Sequence, residues 1–193
     1  MNKAIIIILL SILCLFCYFN SLSGGFIFDD KALILNNHYL KSSVLPSGIL
    51  KEDIYRHWVG KASFGLMYRP IQIFSYWLDC RIYGLIPMGL RLTNLFLHLL
   101  NGILIYLLIL RLFSDPRLAA FTAALFIAHP LNLPVVAYIS GRADLLSLFF
   151  MLLSAYLFAR GRYLLRGSSS GNTIFASCSR NAFRKATKPT LSI

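Results

Sequence analysis

Two adjacent carboxylates, Asp29 and Asp30, lie shortly after the first apolar segment of the 193-residue chain. Paired carboxylates in this position can act as a general base toward a hydroxyl group, or they can hold a divalent cation such as magnesium or manganese. The alternative is a solvated turn in which an aspartate caps a helix that begins at Lys31. We therefore take Asp29 and Asp30 as candidate catalytic residues and candidate metal ligands.

Two arginines stand in further polar motifs. Arg69 lies in a Tyr-Arg-Pro sequence, and Arg142 lies in Gly-Arg-Ala-Asp, two residues before Asp144. A planar guanidinium can bond two phosphate oxygens at once, so both arginines are candidates for phosphate binding, and Asp144 is a candidate for lining the same site. A structural ion pair between Arg142 and Asp144 is the alternative, since an unpaired charge is costly at membrane depth.

Two histidines are also candidates for lining a site. Asn94, His98 and Asn101 are spaced by four and three residues, which places them on one face of a helix, where they either bond a neighbouring helix or line a cavity. His129 precedes a proline that breaks the next apolar segment. Non-helical backbone at membrane depth is tolerated only within protein or along a water-filled cavity.

The composition identifies the setting of these residues as a membrane. Hydrophobic residues make up 58% of the chain and charged residues 13%, against about 45–50% and 25% in soluble domains. The net charge of +12 comes from basic residues that mostly flank apolar runs. That placement follows the positive-inside rule, so we expect a lipid bilayer and no nucleic acid as a partner.

Four uncharged apolar segments predict an all-α integral membrane protein with about four transmembrane helices. They cover residues 4–19, 92–110, 118–139 and 145–159. The predicted division is a first transmembrane helix at 1–19, an outer loop at 20–91 that bears interfacial helices or a small folded cap, three further transmembrane segments at 92–166, and a polar, basic tail at 167–193 that we expect to be disordered.

The short basic segments predict the orientation. With four crossings, Lys3, the turn at Arg111 and Arg117, and the arginines at 160–166 lie on one face, which should be cytoplasmic. The N-terminus is then cytoplasmic and the outer loop is periplasmic or lumenal. A competing interpretation treats the first segment as a cleaved signal peptide, with a small-x-small site at residues 21–23.

Taken together and in order, the polar motifs resemble those of a known family. The similarity covers roughly residues 4–162 and is to the polytopic GT-C glycosyltransferases of the tetratricopeptide-containing O-mannosyltransferase type and their bacterial relatives. The motifs are Phe28-Asp29-Asp30 with Asn36, Tyr68-Arg69-Pro70, Asn94-x-x-x-His98, Leu125-Phe126-x-x-His129-Pro130, and Gly141-Arg142-Ala143-Asp144-Leu145-Leu146-Ser147.

The resemblance implies transfer of a sugar from a polyprenyl-phosphate carrier to a protein or glycan acceptor, in a bacterial inner membrane or an ER membrane. It implies that an acidic residue of the first outer loop is the base or a metal ligand, a role that falls to Asp29 or Asp30 and preferably to Asp29. Arg69 and Arg142 would then bind the lipid-linked phosphate, and His129 would line the site. The retained first helix of the family also disfavours cleavage.

Two departures qualify the resemblance. The family often carries a glutamate after the His-Pro pair, where this chain has Asn132-Leu133-Pro134. Family members also continue through more spans and end in helical repeats. We therefore expect a truncated or frame-shifted product, or a fragment, and activity and inactivity of this chain by itself both stay open. The alternatives are a non-catalytic four-span membrane protein or partner subunit and, more remotely, a transporter.

Overall fold

The structure is a computed structural model that describes residues 3–27, 29–35, 37, 40 and 69–167. Every regular element among these residues is helical, which confirms the predicted all-α class. The predictions for residues 41–68 of the outer loop and for 168–193 of the tail lie outside the described residues. The α-helices are α1 (Lys3–Tyr18), α2 (Pro70–Tyr83), α3 (Pro87–Phe113), α4 (Pro116–Ala128), α5 (Leu133–Ala137) and α6 (Arg142–Gly167).

Short turns of tighter or wider helix connect these elements. Three are 3₁₀ turns and one, directly after the acidic pair, is a π-helical turn. The 3₁₀ turns are Phe19–Ser23, Pro130–Asn132 and Ile139–Gly141, and the π-helical turn is Lys31–Leu35.

Three helical stretches of the described chain are long and apolar enough to cross a membrane: Lys3–Ser23, Pro87–Phe113 and Ile139–Gly161. A fourth crossing exists if the pair Pro116–Ala128 and Pro130–Ala137, bent by 50°, is one span. The bend occurs at the His-Pro motif, as expected, because proline lacks the N–H that would continue the helix. The chain is an integral membrane protein.

Helix α3 is the centre of the bundle, since it packs against α1, α2, α4, α5 and α6. Its contact with α4 is close because small side chains line it. Ala119 and Ala123 are fully buried, and a Cβ atom added to Gly102 would lie 2.6 Å from the Ile127 side chain. Helices in lipid associate through such close packing of small residues.

The break after α4 frees backbone carbonyls that side chains then satisfy. The Ile127 carbonyl accepts a hydrogen bond from the Tyr18 hydroxyl at 3.0 Å and lies 3.3 Å from Nε2 of His98. The Phe126 carbonyl accepts from Nδ2 of Asn132 at 2.7 Å. In a bilayer every backbone polar group needs a partner inside the protein, so these side chains make the break tolerable.

The connectivity brings the polar motifs to one end of the bundle. The C-terminal end of α1, the N-terminal ends of α3 and α6, and the C-terminal end of α4 meet there. A small apolar cluster lies at this end, where it joins the residues after α1 to α2 and to the segment before α6. Its buried members are Leu33, Ile34, Leu40, Ile73, Tyr76, Leu90 and Ile139.

Candidate active site

A cavity of about 350 Å³ opens at this end of the bundle. Three separate segments form it: the turn after α1, the start of α2 with the residue before it, and the stretch from α5 to the first turn of α6. Of the predicted site residues, the cavity brings together Asp29, Arg69 and Asp144, all with exposed side chains. The lining residues are Asp29, Leu33, Arg69, Gln72, Pro134, Val135, Tyr138, Ser140, Gly141 and Asp144.

The two adjacent aspartates have different environments. Asp29 is exposed on the cavity wall, whereas Asp30 is fully buried. The Asp30 carboxylate accepts a hydrogen bond from the Ser140 N–H at 3.0 Å, and a longer one from the Ile27 N–H at 3.5 Å. Asp30 is not among the lining residues, so its geometry is that of a structural anchor and not of the predicted catalytic group.

Arg91 stabilises the turn between α1 and the acidic pair. Its guanidinium donates to the carbonyls of Gly24 and Gly25 through the two terminal nitrogens, and Nε donates to the Ala137 carbonyl at 2.9 Å. It also interacts electrostatically with Asp30. Arg91 thus ties the turn that carries Asp29 to the α5–α6 connection. In the sequence Arg91 is only the residue before the apolar segment 92–110, and it was not among the predicted site residues.

Arg142 does not line the cavity, although the sequence predicts that it binds phosphate. It is fully buried, and its terminal nitrogens reach Asp79 at 2.6 Å and the Leu90 carbonyl at 2.6 Å. Nε donates to Asn94 at 2.8 Å, and the guanidinium carbon lies 4.5 Å from the centre of the Tyr76 ring. All three nitrogens are engaged, so the predicted phosphate role has no support in this geometry.

The acidic partner of Arg142 is Asp79 of α2, and not Asp144 as the alternative interpretation had it. Burial raises the pKa of the Asp79 carboxyl, while the Arg142 guanidinium and the Thr93 hydroxyl, which donates to it at 3.0 Å, oppose that rise. Sequence reasoning missed Asp79, because nothing in a linear pattern pairs residues on α2 and α6 before the fold is known.

The two predicted histidines also lie away from the cavity lining. His98 is fully buried between aromatic rings, with ring centres 5.1 Å from Tyr18 and 5.0 Å from Phe126. His129 is exposed and ends α4, where its Nδ1 accepts from the Leu131 N–H at 3.3 Å. His98 therefore joins helices, and His129 caps the 3₁₀ turn Pro130–Asn132. Neither geometry matches the predicted role of lining a site.

Gln72 is a cavity residue that the sequence analysis overlooked. It follows Arg69 by three residues, so the two share a face at the start of α2. This spacing of three residues is the sequence signal from which Gln72 could have been predicted as a cavity residue. Gln72 is 3% exposed and forms part of the cavity wall.

A divalent cation at the Asp29–Asp30 pair does not fit the geometry, since the Asp30 carboxylate is committed to backbone N–H groups. Asp29 and Asp144 are the two carboxylates on the cavity, a number that magnesium commonly takes together with substrate phosphates. Among the residues that the structure describes, no group of three or more His, Cys, Asp or Glu could hold a metal ion. The cation stays a prediction of the sequence.

Comparison with known proteins adds an independent observation. The chain is 35% identical over 136 residues to protein O-mannosyl-transferase TMTC3 of Mus musculus, which covers 70% of this chain. It is 33% identical over 140 residues to protein O-mannosyl-transferase TMTC1 of Homo sapiens, and 34% identical over 158 residues to Tmtc1 of Drosophila melanogaster, with 72% and 81% of this chain covered. The chain is related to the protein O-mannosyl-transferases. The resemblance carried by the polar motifs is thereby confirmed.

The chain spans 15–18% of the length of these three O-mannosyl-transferase relatives. No family model matches the chain, and no solved structure matches it significantly.

Proposed function

We propose that the chain forms part of a GT-C-type membrane glycosyltransferase and that the cavity at Asp29 is its sugar-transfer site. The reaction is transfer of mannose from a polyprenyl-phosphate carrier to a hydroxyl group of a protein, on the outer or lumenal face. The observation that carries the proposal is the convergence of Asp29, Arg69 and Asp144 on one cavity from three segments. The names of the relatives support mannose and a protein acceptor.

Asp29 is the proposed general base. Its carboxylate accepts the proton of the acceptor hydroxyl as the hydroxyl oxygen bonds to the anomeric carbon of the sugar. The bond between that carbon and the phosphate oxygen breaks, and its electron pair leaves with the polyprenyl phosphate. Asp29 suits this role because its side chain is exposed on the cavity while the buried Asp30 holds the backbone beside it.

Arg69 is the proposed ligand of the departing phosphate. It is the one arginine among the lining residues of the cavity, and its side chain is exposed. A guanidinium placed where negative charge develops stabilises the leaving group, and its two parallel N–H donors fix the phosphate in orientation. Arg69 directly precedes α2, which begins with Pro70.

Asp144 supplies a second carboxylate from another segment of the cavity wall, the first turn of α6. Carboxylate oxygens accept hydrogen bonds from sugar hydroxyl groups without needing a proton of their own. We assign Asp144 to orienting the sugar, since Asp29 is the carboxylate that follows the first helix in the manner the resemblance implies.

The charge distribution supports an outer-face site. The end of the bundle opposite to the cavity carries Lys3, the turn with Arg111 and Arg117, and Arg160. Basic residues in short connections face the cytoplasm. On this basis we propose that the N-terminus lies in the cytoplasm and that the cavity lies on the side where enzymes of the resembling type use lipid-linked sugars.

The proposal is tested by reconstituting the chain in liposomes with polyprenyl-phosphate mannose and a serine- and threonine-containing peptide. We expect mannose transfer that falls at least 100-fold in Asp29→Asn, since removal of a general base typically costs 10²–10⁴-fold. Asp115→Asn is the matched control, because Asp115 caps α4 at the other end of the bundle and asparagine also caps.

Two outcomes would count against the proposal. Equal transfer by the wild type and by a normally inserted Asp29→Asn variant would remove the base from Asp29. Absence both of transfer and of binding of polyprenyl-phosphate mannose by the wild-type chain would favour the alternative of a non-catalytic membrane protein or partner subunit.

A further inference from the structure

Gln72 is a buried polar residue to which the proposed reaction gives no role. It is 3% exposed, lines the cavity, and lies one helical turn beyond the proposed phosphate ligand Arg69. Buried amides are normally hydrogen-bonded at both the nitrogen and the oxygen. In Gln72 only the nitrogen is bonded in this way.

The orientation of the Gln72 amide is determined by its two partners. Nε2 donates to the Tyr76 hydroxyl at 2.8 Å and to the Ser140 carbonyl at 3.1 Å. The Tyr76 hydroxyl uses its own proton toward the Ile139 carbonyl at 2.7 Å, so it can only accept from Gln72. Exchanging the amide oxygen and nitrogen would set two acceptors against each other, and the oxygen therefore occupies the remaining position.

The amide oxygen Oε1 of Gln72 is buried and has no hydrogen-bond partner among the described residues. An unpaired buried carbonyl oxygen is unfavourable, and in native proteins it is uncommon. Here the amide is held in that state by bonds from its nitrogen to α2 and to the α5–α6 connection, next to a cavity that also holds Asp29 and Asp144. The oxygen has almost no accessible surface, so a donor that arrives with a ligand in the cavity reaches it through a small shift of the surrounding cavity wall.

We propose that Oε1 of Gln72 accepts a hydrogen bond from a hydroxyl group of the substrate in the cavity. The inference rests on the proposed function. It assigns the recognition of two different substrate groups to two residues at the start of α2. Arg69 selects an anion, and Gln72 selects a hydroxyl group, since a neutral amide oxygen repels phosphate and carboxylate. The hydroxyl belongs either to the sugar or to the acceptor, which present the same chemistry to Oε1.

The chain contains a single glutamine, which makes a direct test feasible without resonance assignment. Full-length chain labelled with ¹³C at the glutamine side-chain carbonyl gives one signal in lipid nanodiscs. Methyl α-D-mannopyranoside represents the sugar and N-acetylserinamide represents the acceptor. We expect the carbonyl signal to move in a saturable way with one of the two probes, because accepting a hydrogen bond changes the shielding of that carbon.

Two variants provide the second measurement, in which probe binding is followed by saturation-transfer NMR. Gln72→Met should weaken binding of the same probe about tenfold, the loss expected for one neutral hydrogen bond. Ile71→Met introduces the same side chain one position away, where Ile71 is 56% exposed and not among the lining residues. This control should bind the probe as the wild type does.

A response to the mannoside assigns Gln72 to the sugar, and a response to the serinamide assigns it to the acceptor. A carbonyl signal that stays fixed at saturating concentrations of both probes overturns the inference, whatever Gln72→Met does to folding. Mannose transfer with a fixed Gln72 signal would leave the proposed function standing and remove only this assignment. A carbonyl signal that moves in the absence of any mannose transfer would support the hydrogen bond to Gln72 and count against the proposed function.

Discussion

The Asp30 carboxylate and the Ser140 N–H form a 3.0 Å hydrogen bond that joins two segments 110 residues apart. Because Asp29 directly precedes Asp30 and Ser140 lines the cavity, this bond fixes the position of the proposed base relative to the part of the wall that contains Ser140. Asp29 and Asp30, which look equivalent in sequence, thus divide into a residue that faces the substrate and one that positions it.

Variants of the acidic pair should therefore fail in different ways. Asp30→Ala leaves the Ser140 N–H without its acceptor and should lower the free energy of unfolding by roughly 1–3 kcal/mol. Asp30→Asn keeps an acceptor and should cost less. Asp29 is exposed, so Asp29→Asn should change the free energy of unfolding by no more than about 0.5 kcal/mol. The same substitution should lower mannose transfer at least about 100-fold. Thermal unfolding in detergent checks this, and equal destabilisation by Asp29→Asn and Asp30→Ala would contradict the division.

Arg69 should act on the lipid-linked donor. Arg69→Gln is expected to raise the KM for polyprenyl-phosphate mannose roughly 10- to 100-fold, the usual worth of hydrogen bonds to a charged group. Arg69→Lys should recover part of this loss, since lysine keeps the charge but not the paired donors. Arg81→Gln is the matched control, because Arg81 lies near the other end of α2 over the Trp77 ring. An unchanged KM in Arg69→Gln would remove Arg69 from phosphate binding.

The sequence predicts the helices and the location of the site, but it does not predict the direction of each side chain. The apolar runs predicted the helices well, although α3 begins at Pro87 and not at Leu92, because the buried Arg91 has its partners inside the protein. The motifs located the site but not the direction of each side chain. Arg142 and Asp144 are two positions apart on α6, about 200° around the helix, so only one of them could face the cavity.

The ion pair of Asp79 with Arg142 should make stability depend on pH. Burial raises the pKa of the Asp79 carboxyl, and Arg142 only partly offsets it, so the folded chain holds this proton more tightly than the unfolded chain. The contribution of Asp79 to stability is then complete below its unfolded pKa of about 3.9 and is lost as pH rises through the folded pKa. Unfolding of wild type and Asp79→Asn between pH 3.5 and pH 7 measures the difference, and an opposite slope would contradict the raised pKa.

Gly141 should be intolerant of even a methyl group. A Cβ atom there would clash with the Val135 carbonyl oxygen, so the backbone of the cavity wall would have to move. Gly141→Ala should cost about 1–3 kcal/mol of stability and disturb the Ser140–Asp30 bond. Gly161→Ala is the control, since nothing lies within 4 Å and the helix should gain up to about 1 kcal/mol. Similar melting temperatures for Gly141→Ala and Gly161→Ala would contradict the predicted clash with the Val135 carbonyl.

His98 and Tyr18 should act together at the Ile127 carbonyl and not in catalysis. Each is within hydrogen-bond distance of that oxygen, which the break after α4 leaves free. His98→Phe or Tyr18→Phe alone should cost about 0.6 kcal/mol, the average for a hydrogen bond within a membrane. The double variant should cost more than the sum, because the carbonyl then has neither donor. A double-mutant cycle of unfolding in detergent measures this coupling. Strict additivity would contradict the shared carbonyl, and loss of mannose transfer in a normally folded His98→Phe would return His98 to the site.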